Sequence, residues 1–257
     1  MVTFVGTDVK GVELRNIISV LEGFSGCRAT LRCIRGSNDG SNELSPIIQI
    51  DMINDAQTVL CEMELKPYLF TRYKVADAQI NIEVTKEKAK YDGRARYNII
   101  VDEKQGIRVV GEDVERSFPV AETQEVPPMK SVLESLWEDY SRSEGLLVEQ
   151  RYLSHAVQTL ARYFKQCTIC YHGGPQLCLQ AENNYYSAKH NIRPQIYPDY
   201  DIGETTINLY LLKRCTHKWG NSVKIWFRHR CPLILEYSTW GWDVRYAVAP
   251  IVEIVEP

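Results

Sequence analysis

The stretch Arg151-Tyr-Leu-Ser-His-Ala-Val-Gln-Thr-Leu-Ala-Arg-Tyr-Phe-Lys165, followed by Cys167-Thr-Ile-Cys-Tyr-His172, Gly173-Gly174-Pro175 and Gln176-Leu-Cys-Leu-Gln-Ala181, decides how this chain is read. Leu153, Val157, Leu160, Ala161 and Phe164 recur at helical spacing on one face, while His155, Gln158, Arg162 and Lys165 occupy the other. The two apolar runs that follow, joined by a Gly-Gly-Pro turn, read as strand, turn, strand. The unit is therefore an amphipathic helix with a cationic outer face, followed by a hairpin.

The same unit occurs three more times. Gly11 to Gly23 places Leu14, Ile17, Ile18 and Leu21 on one helical face, turns Arg15, Asn16 and Ser19 elsewhere, and leads into the strand-like Cys27 to Ile34 and a Gly/Ser/Asn turn. Leu209 to Gly220 puts Leu209, Leu212 and Trp219 inward and Lys213, Arg214, His217 and Lys218 outward. It precedes the strands Ser222 to Arg228 and Leu233 to Tyr237. Thr85 to Arg96 is weak as a helix because Asp92-Gly93 interrupts it. It nonetheless holds Lys86, Lys88, Lys90, Arg94 and Arg96 before the strands Tyr97 to Val101 and Gly106 to Val110.

Charge follows the repeat. Residues 10–24, 85–96, 151–165 and 209–221 hold 13 Lys/Arg and 4 Asp/Glu, a balance of +9, whereas the rest hold 17 and 29, a balance of −12, together the net −3. A single basic helix is ordinarily only a solvated face. Several on an otherwise acidic chain imply a cationic surface suited to phosphates, with sequence-independent and salt-sensitive binding.

With 257 residues, 44% of them hydrophobic, the chain can bury one large or two medium cores without metals or disulfides. No apolar run approaches the ~20 residues of a membrane span, and Met1 to Asp8 lacks the pattern of a secretory signal, so an intracellular, soluble protein is expected. The eight cysteines are scattered in strand-like runs and read as reduced core thiols. Turn and polar residues cluster between Glu112 and Gly145 around one apolar stretch, Met129, Val132, Leu133, Leu136 and Trp137. The expected organisation is a domain over 1–117, a linker over 118–145 and a second domain over 146–257. The linker is either a short helix covering a domain edge or one wall of a groove for partner peptides.

The order of helix and hairpin units, the midpoint linker, and above all Cys231-Pro-Leu-Ile-Leu-Glu-Tyr237 followed by Val244-Arg-Tyr-Ala-Val-Ala-Pro250, resemble the eukaryotic sliding-clamp family. That family includes proliferating cell nuclear antigen (PCNA) and the checkpoint clamp loaded at damaged DNA. Thr58 to Leu65, Leu69 to Tyr73 and Ala78 to Val84 resemble the strands before the family's second helix, so the likeness extends over nearly the whole chain.

The resemblance implies an α+β sliding-clamp fold, two similar domains of βαβββ units with helices on the inner face. It implies three subunits in a ring around double-stranded DNA, and no cofactor, metal or catalytic residue. The matching DNA-facing positions are Arg15, Lys86, Lys88, Lys90, Arg162, Lys165, Lys213, Arg214 and Lys218, which would track phosphates without reading bases. The partner-peptide groove would use Leu133, Leu136, Pro232, Val248, Ala249 and Pro250. Subunit edges would pair Gly106 to Val110 with Leu177 to Ala181 of a neighbour, through Ile107, Val109, Leu177 and Leu179. Implied partners are two other clamp subunits, a clamp loader, and polymerases, nucleases or checkpoint proteins, in the nucleus and away from membranes.

The acidic Gly- and Pro-containing linker of PCNA is not recognisable here. Phe118-Pro-Val, Pro127-Pro128 and Leu136-Trp137 look more like the checkpoint-clamp subunit named for hydroxyurea sensitivity. The reading therefore favours a checkpoint-type clamp subunit. A divergent homotrimeric PCNA acting as a polymerase processivity factor is the alternative, and an unrecognised enzyme on an α+β fold is the alternative of another class.

Three sharper motifs fail on physical grounds. Ser222 to Arg230 mimics a homeodomain recognition helix, but His229 stands where Asn is needed, Cys231-Pro232 stops a helix, and the alternation of Val223, Ile225 and Phe227 suits a strand. Cys167 and Cys170, near His172 and Cys178, look zinc-like, yet residues three apart on a strand face opposite ways; Cys215, His217, His229 and Cys231 also lack paired knuckles. Gly173-Gly174-Pro175 lacks the Lys-Ser/Thr ending of a phosphate loop.

Overall fold

Strand β1 (Val2–Lys10) runs without a loop into helix α1 (Gly11–Gly23), because Lys10 stays extended at φ −64°, ψ 135° and the next residue is already helical. Gly11 is required there: a Cβ would lie 1.9 Å from the Asp92 carbonyl oxygen. The computed structural model describes residues 1–34, 46–85, 91–112, 114–122, 124–143, 145–216 and 221–251. They divide into two units, residues 1–129 with 239–244, and residues 130–238 with 245–257.

In the first unit α1 is followed by β2 (Arg28–Cys33), β3 (Ile48–Ile53) and β4 (Val59–Leu65), then by β5 (Arg72–Val75) and β6 (Ala78–Glu83). The strands β7 (Arg96–Asp102), β8 (Gly106–Val110) and β9 (Glu115–Phe118) follow. Two antiparallel sheets result, ordered β5-β1-β7-β8-β9 and β6-β2-β3-β4. Each βαβββ unit thus lends its first strand to the sheet of the other. Leu14, Ile17, Ile18 and Leu21 of α1 are buried, as the spacing predicts, against Leu31, Ile48, Ile50 and Leu65 of one sheet and Ile99, Ile107, Val109 and Phe118 of the other. Each such side chain contributes about 1.5–3 kcal/mol.

The second expected helix does not appear in the described part of its segment. Residues 91–95 form a turn, and Arg96 opens β7; Lys86, Lys88 and Lys90 lie outside the described residues. Asp92 shapes that turn, its side chain accepting from the Arg94 N–H at 2.9 Å.

The second unit repeats the scheme. Here β10 (Leu146–Glu149) enters α4 (Gln150–Leu160) through Glu149 at φ −64°, ψ 126°, after two short helices, α2 (Met129–Leu133) and α3 (Ser135–Arg142). Strands β11 (Gln166–His172), β12 (Leu177–Glu182) and β13 (Ser187–Ile192) follow. Then β14 (Asp201–Asn208) enters α5 (Leu209–Cys215) through Asn208 at φ −66°, ψ 119°, ahead of β15 (Ser222–Trp226), β16 (Leu233–Ser238) and β17 (Trp242–Val248). The strand orders are β13-β12-β11-β14 and β10-β15-β16-β17, the same exchange of first strands.

The linker residues 129–142 are largely helical, and Tyr140 shows what they cover. Its ring meets Trp226 edge-on at 6.1 Å, and its hydroxyl donates to Glu236 at 2.6 Å. This is why Trp226 is buried although the alternation of β15 turns it away from Val223 and Ile225. Glu236 also accepts from Arg245 at 3.2 Å. Tyr140→Phe should lower unfolding free energy by about 1–3 kcal/mol, the range for a buried hydrogen bond to a charged group, in denaturant titration.

A buried polar cluster lies between β2, β3 and β4. Asp51 and Glu62 are direct cross-strand partners, bridged by the Gln49 amide at 3.1 Å to each, and Arg32 pairs with Asp51 while donating to the Val126 carbonyl at 2.8 Å. Burial and the adjacent Glu62 push the Asp51 carboxyl up from 3.8 to about 7, against the pull of Arg32 and Gln49. A raised carboxyl pKa means that the unfolded chain releases the proton first, so this group costs stability progressively as pH rises from about 4 to about 7. Asp51→Asn should therefore flatten the pH dependence of the denaturant midpoint across that window, by on the order of a few kcal/mol, when wild type and variant are titrated in parallel.

Candidate nucleic-acid interface

Helices α4 and α5 pack against one another in the second unit. Both follow directly from a strand, and the Asn208 side chain caps α5 by accepting from the Tyr210 N–H at 2.9 Å. Their apolar stripes, Leu153, Ala156, Val157 and Leu160 on α4 and Leu209, Leu212 and Cys215 on α5, are buried. The opposite faces expose Arg151, Tyr152 and His155 of α4 and Tyr210, Lys213 and Arg214 of α5, with no acidic residue on either helix.

The expected cations divide into three groups. Lys213 and Arg214 stand exposed on the last turn of α5, where the helix dipole favours them. Arg162 and Lys165 are also exposed, but past the end of α4. The helix stops at Leu160, whose carbonyl accepts from the N–H groups of Tyr163 and Phe164 at 3.0 Å each, so these two cations lie on a closing turn instead of the helix face expected from periodicity. Arg15 of α1 is exposed, and its guanidinium donates to the Tyr91 carbonyl at 2.8 Å. Lys218 joins Lys86, Lys88 and Lys90 outside the described residues, as does His217.

The edge residues come out differently from the expectation. Ile107 and Val109 are 4% and 1% exposed inside the first core, on a strand bonded on one side to β7 and on the other to β9. Leu177 and Leu179 are fully buried on β12, which is bonded to β11 and β13. All four are core residues. The end strands next to β8 and β12 are β9 and β13, which present Glu115 and Ser117, and Ser187, Lys189 and Asn191, to solvent; the opposite ends are β5 and β14. Polar edges of this kind carry no apolar signal in the sequence.

Of the groove positions, Leu133 and Val248 are buried, whereas Leu136, Pro232, Ala249 and Pro250 are half-buried. One cleft of the second unit, about 320 Å³, takes in only Pro250 of these. Its other walls include Thr168, Gln180, Glu204, Thr206, His229 and Arg230, a polar lining that no motif in the sequence announces. Arg230 stands there at φ +58°, a left-handed conformation rare for a long side chain.

No cluster of three metal-ligating side chains occurs among the described residues. All eight cysteines are free thiols, and Cys167 and Cys170 indeed face opposite ways on β11, the first buried and the second half-buried. No described helix is long and apolar enough to cross a membrane.

No protein-family model and no curated protein matches the sequence. Solved structures match in shape. The PCNA of A. fulgidus, in its structure with the C-terminal region of FEN-1, superposes with a TM-score of 0.76 at 11% identity, covering 98% of this chain and 99% of that one. PCNA from Entamoeba histolytica gives 0.75 at 11% identity over 98% and 100% of the two chains. A chain of the PCNA2-PCNA3 complex from Sulfolobus tokodaii gives 0.72 at 17% over 96% and 98%. The chain has the sliding-clamp fold, an α+β arrangement of paired βαβββ units.

Proposed function

We propose that this chain is a subunit of a ring-shaped DNA sliding clamp, which encircles duplex DNA without reading its sequence and tethers partner proteins to it. Its role is that of a scaffold and not of a catalyst. The observation that carries the reading is likeness to PCNA chains over nearly the full length of both partners in each comparison. Exposed Lys213 and Arg214 on acid-free α5, with Arg162 and Lys165 on the turn that closes α4, supply the chemistry, because they suit a phosphate backbone. Arg15, and Lys86, Lys88, Lys90 and Lys218 outside the described residues, are proposed for the same phosphate-binding role.

Strand edges supply the assembly. The carboxylate of Glu115 on β9 and the ammonium of Lys189 on β13 suit antiparallel addition of one subunit's edge to the next. The linker Phe118-Pro-Val and Leu136-Trp137 favours a nuclear checkpoint and repair clamp built from three different chains, in which Leu133, Leu136, Pro232, Val248, Ala249 and Pro250 border a partner-peptide site. The neighbours' partners, FEN-1 and other PCNA subunits, indicate the kinds of protein such a ring would hold, nucleases and sister clamp chains.

Light scattering of the purified chain, alone and mixed with candidate clamp subunits, tests the assembly. A complex with one copy each of two partners is expected; a homotrimer would instead make it a replicative clamp, and a monomer under every condition would remove the ring. Lys213→Ala with Arg214→Ala should weaken binding of a non-specific duplex and lower the slope of log affinity against log salt by up to about 2, roughly one unit for each phosphate no longer neutralised. An unchanged slope in fluorescence anisotropy would exclude α5 from the DNA surface.

A further inference from the structure

Cys170 of β11 and Cys178 of β12 are direct partners in the antiparallel register. Directly opposite side chains leave a sheet on the same face. The two thiols are within hydrogen-bonding reach of one another, whereas Cys167 points to the other face and is buried there. Opposed Cβ atoms stand about 4.5–5.5 Å apart and a disulfide needs about 3.5–4.5 Å, so a shift of about 1 Å closes the bond. Cys170 is half-buried, and Cys178 opposite it is 7% exposed. One row further along the sheet, Thr168 and Gln180 line the 320 Å³ cleft, which opens that face to solvent.

We propose that Cys170 and Cys178 form a reversible redox modification site, closed to a cross-strand disulfide by a low-molecular-weight disulfide such as oxidised glutathione. The Cys170 sulfur, having lost its proton, attacks one sulfur of the glutathione disulfide and expels one glutathione thiolate, which takes up that proton. The Cys178 sulfur, deprotonated in its turn, then attacks the Cys170 sulfur of the mixed disulfide and expels the second glutathione, which takes up the second proton. Two protein thiols are oxidised by two electrons, and one glutathione disulfide becomes two glutathione thiols. The inference is independent of the clamp reading.

Burial and the neighbouring Cys178 push the Cys170 thiol up to about 12, with Lys189 opposing and Glu204 adding to the shift. Thiolate is therefore scarce near neutrality. The exchange is slow there, and its rate rises about tenfold per pH unit below the thiol's own range. This steepness separates the pair from a low-pKa sensor cysteine, whose rate would level off.

The test incubates the full chain with oxidised glutathione at about pH 7 and about pH 9, blocks remaining thiols with iodoacetamide, and maps chymotryptic peptides by mass. Chymotrypsin can cut after Tyr171 and Leu177, which separates the two cysteines. A peptide pair linked through Cys170 and Cys178, formed about a hundredfold faster at the higher pH, is expected. Cys178→Ser should stop the reaction at a glutathione adduct on Cys170, while Cys167→Ser should leave the link intact. Alkylation of both Cys170 and Cys178 after prolonged oxidation, or a link from either to another cysteine, would overturn the proposal. Dithiothreitol should restore both thiols, and a link that survives it would also count against reversibility.

Discussion

The structure depends on a strand that becomes a helix with no loop between them. Lys10, Glu149 and Asn208 each hold φ near −65° with ψ between 119° and 135°, and the next residue is helical. A chain leaving a strand in that way carries the helix over the sheet at once and leaves the strand beside another unit's strands. The first strand cannot then pair within its own hairpin group. It completes the sheet of the sister unit, as β1 does for β7-β8-β9 and β14 for β11-β12-β13. The core under α1 consequently draws side chains from both sheets, and a single βαβββ unit would expose half of that apolar surface.

The same constraint sorts the charges. On α1, Glu13 accepts from the Trp242 indole N–H at 2.7 Å and Glu22 pairs with Arg116 at 2.8 Å, so its acids serve the interior of the first unit. On α4 and α5 no acid is present; Arg151 of α4 pairs with Glu149 just before the helix at 2.6 Å, and Lys213 and Arg214 of α5 are exposed. Charge that must be buried is handled at another place, between β2, β3 and β4, where Arg32 and Gln49 satisfy two carboxylates that would otherwise be very costly to desolvate.

The helix-and-hairpin pattern after β1, β10 and β14, and the apolar faces of α1, α4 and α5, were legible because burial on one side leaves a 3.6-residue period in the sequence. The ends of helices were less so. Arg162 and Lys165 continue the period on paper, yet Tyr163 and Phe164 close on the Leu160 carbonyl, and a closing turn keeps helical spacing without helical direction. Edge strands were hidden for the opposite reason: Ser187–Ile192 and Glu115–Phe118 are polar toward solvent and short, so the buried strands beside them, with Ile107 and Leu177, read as the edges. Pairing of Asp51 with Glu62, and of Cys170 with Cys178, is set by register across a turn, which no single-strand pattern contains.

These limits share a cause with the distance between this sequence and known clamps. The fold asks for a periodic apolar face, an extended residue before α1, α4 and α5, and a glycine where backbone passes close, as at Gly11. Many sequences meet those terms. Identity can therefore fall far while the backbone path persists, and what remains recognisable is spacing, not residue type.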